Sequence, residues 1–253
     1  MTLQSKSLIK ATLSALYYTG AGKLLAPLTR GCGVIFMLHH VRPEPPEPFE
    51  PNRILKVTPD FLENVIVHVK EAGFDILPLD DVRGRLMEGN PRPFACFTFD
   101  DGYKDNRDHA YPLFKKHGAP FAIYVATEYA DGQGDLWWLV LEKVIRQAEQ
   151  LTVEMNGDLR HFLLHTTAEK YAAFDAVYWW LRGLPEKQAR AVVGDLASVI
   201  GFDTARLCPE LVMSWDEVRA LAADPLVTIG AHTRRHMALA KLPLEEACEE
   251  IEA

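Results

Sequence analysis

Cysteine is scarce. Cys32, Cys96, Cys208 and Cys248 are scattered through 253 residues with no Cys-x-x-Cys pair, which excludes a disulfide framework and points to a reducing, cytoplasmic compartment. Long apolar runs are absent too. Nothing approaches the ~18–20 consecutive apolar residues that a membrane-spanning helix needs. There is no excess of positive charge: the formal net charge is −8 and the isoelectric point about 5.6. That balance argues against a nucleic-acid partner or an anionic membrane surface, and it fits a neutral or cationic small substrate. Internal repeats, low-complexity stretches and any sign of a second domain are missing as well. At the N-terminus, Lys6 and Lys10 precede the stretch Ala11–Tyr18 in the manner of a weak export signal. Gly20, Gly22 and Lys23 interrupt it and no clear cleavage site follows, so residues 1–32 are expected to form a helical segment lying on the domain, with export the alternative.

What is present is an α/β pattern with enough apolar content, 48%, to bury a sizeable core. Val34–Leu38 is a continuous apolar run, expected to be a strand buried on both faces and ending at His39-His40. After a proline-rich loop, Thr58 and Pro59 open a helix that closes before Gly73. Ile76–Leu79 reads as a short strand, and Asp80 as the cap of a helix ending near Gly89. Strands at Phe94–Phe99 and Phe121–Ala126 flank a helix around Tyr111–His117. This order implies a parallel sheet with crossover helices. It breaks at residues 127–225, an insertion that reads as mostly helical, with a hairpin turn at Asn156-Gly157 and a capping box at Ser214–Glu217. The trunk resumes with a fifth strand at Leu226–Ile229.

Chemistry concentrates where two of these strands end. Phe99 is followed by Asp100-Asp101-Gly102, and Ile229-Gly230-Ala231 by His232-Thr233-Arg234-Arg235-His236. One carboxylate and two imidazoles form a ligand set for a divalent metal with an open coordination position, and the spare carboxylate is free to act as a base. Spacing of i, i+4 sets His232 and His236 on one face of a helical turn. A His-x-x-x-His pair alone is weak in a chain of nine histidines, but its place at the end of a buried strand adds weight. One aspartate of the pair could cap the following helix; that does not account for both, and adjacent carboxylates are held ionised more readily beside a cation. His39 and His40 are candidates for the same mouth, with a structural role the alternative. For Trp137-Trp138 and Tyr178-Trp179-Trp180, core packing is the default and a sugar-stacking wall the alternative.

At Thr98–Gly102 and at His232-Thr233-x-x-His236 the sequence resembles the polysaccharide deacetylases, the nodulation-protein-B-like carbohydrate esterases, and the Leu38–Val41 run looks like that family's opening strand. The resemblance implies a distorted (β/α)7-type barrel and a hydrolase that removes N-acetyl groups from N-acetylglucosamine-containing oligo- or polysaccharides. Asp100 would be the general base. Asp101, His232 and His236 would hold a divalent metal, usually zinc, sometimes cobalt, that activates water and the acetamide carbonyl. Thr233 would support the loop, and His39, His40 and Tyr103 would bind substrate or support the site. The family's later Arg-x-Pro-aromatic and Leu-x-His motifs do not follow His236, and five trunk strands stand where the barrel has seven. The chain is therefore expected to be the N-terminal part of a longer enzyme or a truncated product, binding metal with weak or no turnover. A non-catalytic carbohydrate-binding form is the alternative function, and a metal-dependent amidohydrolase of small amides a third.

Overall fold

The computed structural model describes residues 3–29, 31–88 and 92–252. Strands run in chain order as β1 (Gly33–Leu38), β2 (His40–Val41), β3 (Lys56–Val57), β4 (Asp75–Ile76), β5 (Phe94–Phe99), β6 (Phe121–Val125), β7 (Gln150–Met155), β8 (Asp158–Leu163) and β9 (Val227–Ala231). The helices are α1 (Leu3–Tyr18), α2 (Ala21–Thr29), α3 (Pro59–Glu71), α4 (Val82–Leu86), α5 (Tyr111–His117), α6 (Thr127–Ala130), α7 (Trp137–Gln147), α8 (Thr167–Gly183), α9 (Glu186–Val199), α10 (Leu207–Leu211), α11 (Trp215–Ala222) and α12 (Leu244–Glu252).

An apolar run without alternation folds as a strand covered on both faces, and β5 does so: all six of its residues are buried. It is the spine of a five-stranded parallel sheet ordered β1-β5-β6-β9, with β4 pairing on β5. Phe97, Phe99, Ile123 and Val125 pack against Leu62, Ile66, Phe114, Val218 and Leu221 from α3, α5 and α11. Helix entry follows the local chemistry. Thr58 Oγ1 accepts the Phe61 N–H at the start of α3, and Ser214 and Glu217 exchange both hydrogen bonds of a capping box at the start of α11.

Three local expectations need correction. β1 is not buried on both faces: Ile35 and Met37 are 51% and 65% exposed. It lies at the sheet edge, where Phe36 and Leu38 reach the helix layer while Ile35 and Met37 face the other side. The helix expected from Asp80 to near Gly89 is a 3-10 turn over Leu79–Asp81 followed by Val82–Leu86. Asp80 makes no cap there, and Gly89 lies outside the described residues. Finally, α1 and α2 pack on one another but leave Leu8, Ile9, Leu13, Leu16, Leu24 and Leu25 exposed rather than burying them on the domain.

Residues 127–225 build their own core. Leu141, Val144 and Ile145 of α7 meet Val177 and Leu181 of α8 and Val193 of α9, with the hairpin β7–β8 alongside. Its Asn156-Gly157 turn has positive φ at both residues, which a two-residue hairpin demands. The far end of this unit is tied back to the sheet. Met213 donates its N–H to Gly102 O at 3.0 Å, and Tyr103 forms an isolated bridge with Val212.

Phe97 is 1% exposed and stacks on Phe36 at 5.0 Å while meeting Phe114 edge-on at 5.2 Å. Phe97→Ala is expected to lower unfolding free energy by about 3–5 kcal/mol. Urea denaturation would read this as a lower midpoint at unchanged slope.

Candidate active site

Parallel register decides which residues meet. β1 and β5 pair so that Leu38 lies beside Phe99, and β6 and β9 so that Val125 lies beside Ala231. The next residues leave the sheet on one edge: His39 and His40, Asp100 and Asp101, and His232. Backbone hydrogen bonds hold them there, from Asp100 N–H to Leu38 O and from His232 N–H to Val125 O, each 2.9 Å.

Asp101 is 1% exposed and adopts φ 70°, a left-handed conformation that non-glycine residues rarely take, and Gly102 follows at φ 71°. The bend turns the Asp101 carboxylate toward the histidines. Its Oδ1 lies 3.3 Å from His236 Nε2 and 3.8 Å from His232 Nε2, and ligand atoms of all three residues fall within 4.8 Å of one another. Asp101 Oδ1 is buried with no hydrogen-bond partner. An orphaned carboxylate oxygen facing two imidazoles suits a cation, and this donor set fits zinc. Burial lowers the His236 pKa, with Asp101 offsetting part of the shift, so its imidazole is held in the neutral form that ligation requires.

The histidines do not stand on a helical turn. Residues 232–236 form a loop in which Thr233 and His236 have φ of 62° and 55°. Its backbone groups are engaged elsewhere: Thr127 and Glu128 donate to the Thr233 and Arg234 carbonyls, and Arg234 N–H bonds to Glu250 O. Arg235 N–H bonds to the Glu250 carboxylate at 2.8 Å, and Arg190 Nη2 reaches the Arg235 and His236 carbonyls at 3.3 and 3.1 Å. Within the loop, Thr233 Oγ1 accepts the His236 N–H at 3.2 Å. No i→i+4 ladder can form, and the ring centroids still meet at 4.8 Å. Arg190 and Glu250 carry no signal in the sequence, since each supports the loop from a distant helix.

Asp100 lies beside the triad, 8% exposed, with Oδ2 4.0 Å from His39 Nε2. Burial raises its pKa; His232 and His39 pull it back, and Asp101 adds to the rise. His40 points elsewhere. Its Nδ1 lies 2.7 Å from Asp105 Oδ2, its ring stacks on Tyr103 at 3.7 Å, and Arg42, the Val41 N–H and the Asn106 amide also donate to Asp105. Burial pushes the Asp105 carboxyl up, but the bonds from His40, Arg42 and Val41 outweigh it and hold it below the usual aspartate range. Burial holds the His40 pKa down, so a neutral imidazole donates Nδ1–H to ionised Asp105. This cluster braces the loop beneath the triad: Asn106 donates to His39 O, and the Tyr103 hydroxyl is buried without a partner.

A cavity of about 350 Å³ opens over Asp101 and His236, lined by these and His39 together with Trp137, Trp138, Tyr178 and Arg182 of the insertion. Trp137 stacks on Tyr178, and the Trp138 ring lies 5.4 Å from that of His236. The two tryptophans thus serve the insertion core and the cavity wall together, whereas Trp179 is 63% exposed outside it.

Residues 88–253 match the family model described as polysaccharide deacetylase, and the chain belongs to that family. No curated protein sequence matches it. Among solved structures, it is similar to the Streptococcus pyogenes deacetylase PplD in complex with acetate, at 15% identity and TM-score 0.47, over 85% of this chain and 62% of that one. IcaB from Ammonifex degensii aligns at 15% identity and TM-score 0.46, over 87% and 65% of the two chains. A de-N-acetylase from Aggregatibacter actinomycetemcomitans aligns at 14% identity and TM-score 0.43, over 79% and 54%. The chain thus spans between 54% and 65% of the length of these structures.

Asp105→Ala is expected to destabilise the fold by about 1–3 kcal/mol at neutral pH, because it strips the partner from the buried His40 imidazole and from the partly exposed Arg42. The sign of the pH dependence follows from the depressed carboxyl pKa. The contribution is fully present above the ordinary aspartate range and is lost as pH falls through the lower folded-state value. Denaturation of wild type and Asp105→Asn across acidic pH should show the gap between them closing as pH falls.

Proposed function

We propose that this chain carries the metal-binding half-site and the base of a polysaccharide de-N-acetylase acting on N-acetylglucosamine-containing glycans. The observation that carries the reading is the buried, partnerless Asp101 Oδ1 facing His232 and His236, with Asp100 at its side and a cavity walled by aromatic rings over Asp101 and His236. Membership of the polysaccharide deacetylase family supports it.

Asp101, His232 and His236 would hold a divalent ion, zinc suiting two imidazoles and one carboxylate best. When bound, such an ion supplies Lewis-acid polarisation of the acetamide oxygen and eases ionisation of water. The rest falls to side chains. Asp100 accepts the proton of the attacking water, and its burial raises its basicity for that task. The amide C–N bond breaks as its nitrogen takes up the proton that Asp100 received from the water, releasing acetate and leaving the free amine on the sugar. His39, 4.0 Å from Asp100, restricts where the base can point. Trp137, Trp138 and Tyr178 offer apolar faces to a pyranose ring and keep bulk water from the reacting centre. Thr233 fixes the loop that carries both histidines through its hydrogen bond from the His236 N–H, while Tyr103 and His40 buttress the Asp101 bend from below. No helix among the described residues is long and apolar enough to cross a membrane.

Asp100→Asn keeps the shape and removes the base, so acetate release from N-acetylglucosamine oligomers should fall by about 10²–10⁴-fold with zinc content unchanged. His232→Ala should lose the zinc itself. Metal analysis alongside an acetate assay separates the two roles. Full turnover in Asp100→Asn, or stoichiometric zinc in His232→Ala, would refute the assignment.

A further inference from the structure

The net charge of −8 conceals an asymmetry. All 35 aspartates and glutamates lie beyond residue 43, while Lys6, Lys10, Lys23, Arg30 and Arg42 precede it. Charges further apart than the Debye length, roughly 8 Å in physiological salt, act independently, so acidic residues elsewhere in the domain do not cancel a basic segment more than that distance away. That segment consists of α1 and α2, and it is apolar as well as basic. On α1, Ile9, Leu13 and Leu16 recur at helical spacing, yet they remain 46%, 61% and 38% exposed, with Leu8 and Tyr17 alongside. On α2, Leu24 is 81% exposed. The helices pack on one another, and neither of the two hydrophobic cores includes a side chain from them among the described residues. Besides Lys6 and Lys10, the α1 sequence carries only the uncharged polar residues Gln4, Ser5, Ser7, Thr12 and Ser14 among its apolar ones.

An unburied apolar face on a soluble domain marks a binding surface. Leucine, isoleucine and tyrosine beside lysines, with no acidic residue for 43 positions, match the two layers of an anionic bilayer interface: acyl chains below and phosphate groups at the rim. A protein groove could take the apolar face, but it would not by itself account for the complete absence of acidic residues. Neither helix is long and apolar enough to span.

We propose that residues 3–29 lie in the surface of an anionic lipid bilayer and hold the catalytic domain against it. The proposal revises the whole-chain charge argument, which averages a basic segment with an acidic domain. It is independent of the deacetylase reading, since it rests on different residues.

The test is flotation of the full-length protein with vesicles of phosphatidylcholine containing about a third phosphatidylglycerol, and with phosphatidylcholine alone. Binding to the anionic vesicles is expected, with at least tenfold less to the neutral ones and marked weakening at about 0.5 M salt. The triple variant Lys6→Glu, Lys10→Glu, Lys23→Glu and the double variant Leu13→Ser, Leu16→Ser should each lose binding. Leu13 and Leu16 lie outside both cores, and an unchanged thermal melt checks the folding of each variant. Absence of binding to anionic vesicles would overturn the proposal, as would binding that neither variant reduces. Self-association in sedimentation that the leucine substitutions abolish, without vesicle binding, would assign the face to a second copy of the chain and equally overturn it.

Discussion

The site depends on the register of one parallel sheet. Parallel strands send all their C-terminal ends to the same edge, and β5 and β9 stop level with β1 and β6 because Leu38 pairs with Phe99 and Val125 with Ala231. A slip of one residue along β5 would exchange Phe97 and Phe99 with Cys96 and Thr98 across the sheet, and would carry Asp101 away from the histidines. The aromatic packing of Phe97, Phe99 and Phe114 therefore fixes the chemistry at a distance by fixing register.

On that edge the chain accepts strain to aim its side chains. Asp101, Thr233 and His236 are all left-handed, each at a cost of about 1–3 kcal/mol. The surroundings hold them in place. Glu250, completely buried, binds the backbone and side chain of Arg235, and Arg190 clasps two loop carbonyls. Asp105 holds His40 and Arg42 beneath Tyr103, where the Asp101 bend continues into the chain. Among the described residues, three of the four positive-φ residues other than glycine thus lie at the site, the fourth being the hairpin residue Asn156.

Much of this was legible in the residues themselves. The unbroken apolar run Phe94–Phe99, the Asn-Gly hairpin and the two cap residues Thr58 and Ser214 specify their elements by local chemistry alone. The errors came where tertiary contacts override local pattern. The Val34–Leu38 run looks like a central strand because composition does not reveal that a strand is at an edge. His-x-x-x-His suggests a helical turn because spacing cannot show that Thr127, Glu128 and Glu250 will occupy its backbone groups. The cavity wall was least legible: Trp137 and Tyr178 stack across forty residues of insertion, and their apolar character is equally that of core. The N-terminal helices show the same limit, since a whole-chain charge hides the sign of a segment.

The most direct test of the metal centre is an X-ray structure of crystals grown with zinc, with anomalous differences measured on both sides of the zinc absorption edge. A single strong peak about 2.0–2.1 Å from Asp101 Oδ1 and from one nitrogen each of His232 and His236 is the predicted result. A peak held by other residues, or these three side chains closing on one another with no peak between them at saturating zinc, would contradict the account.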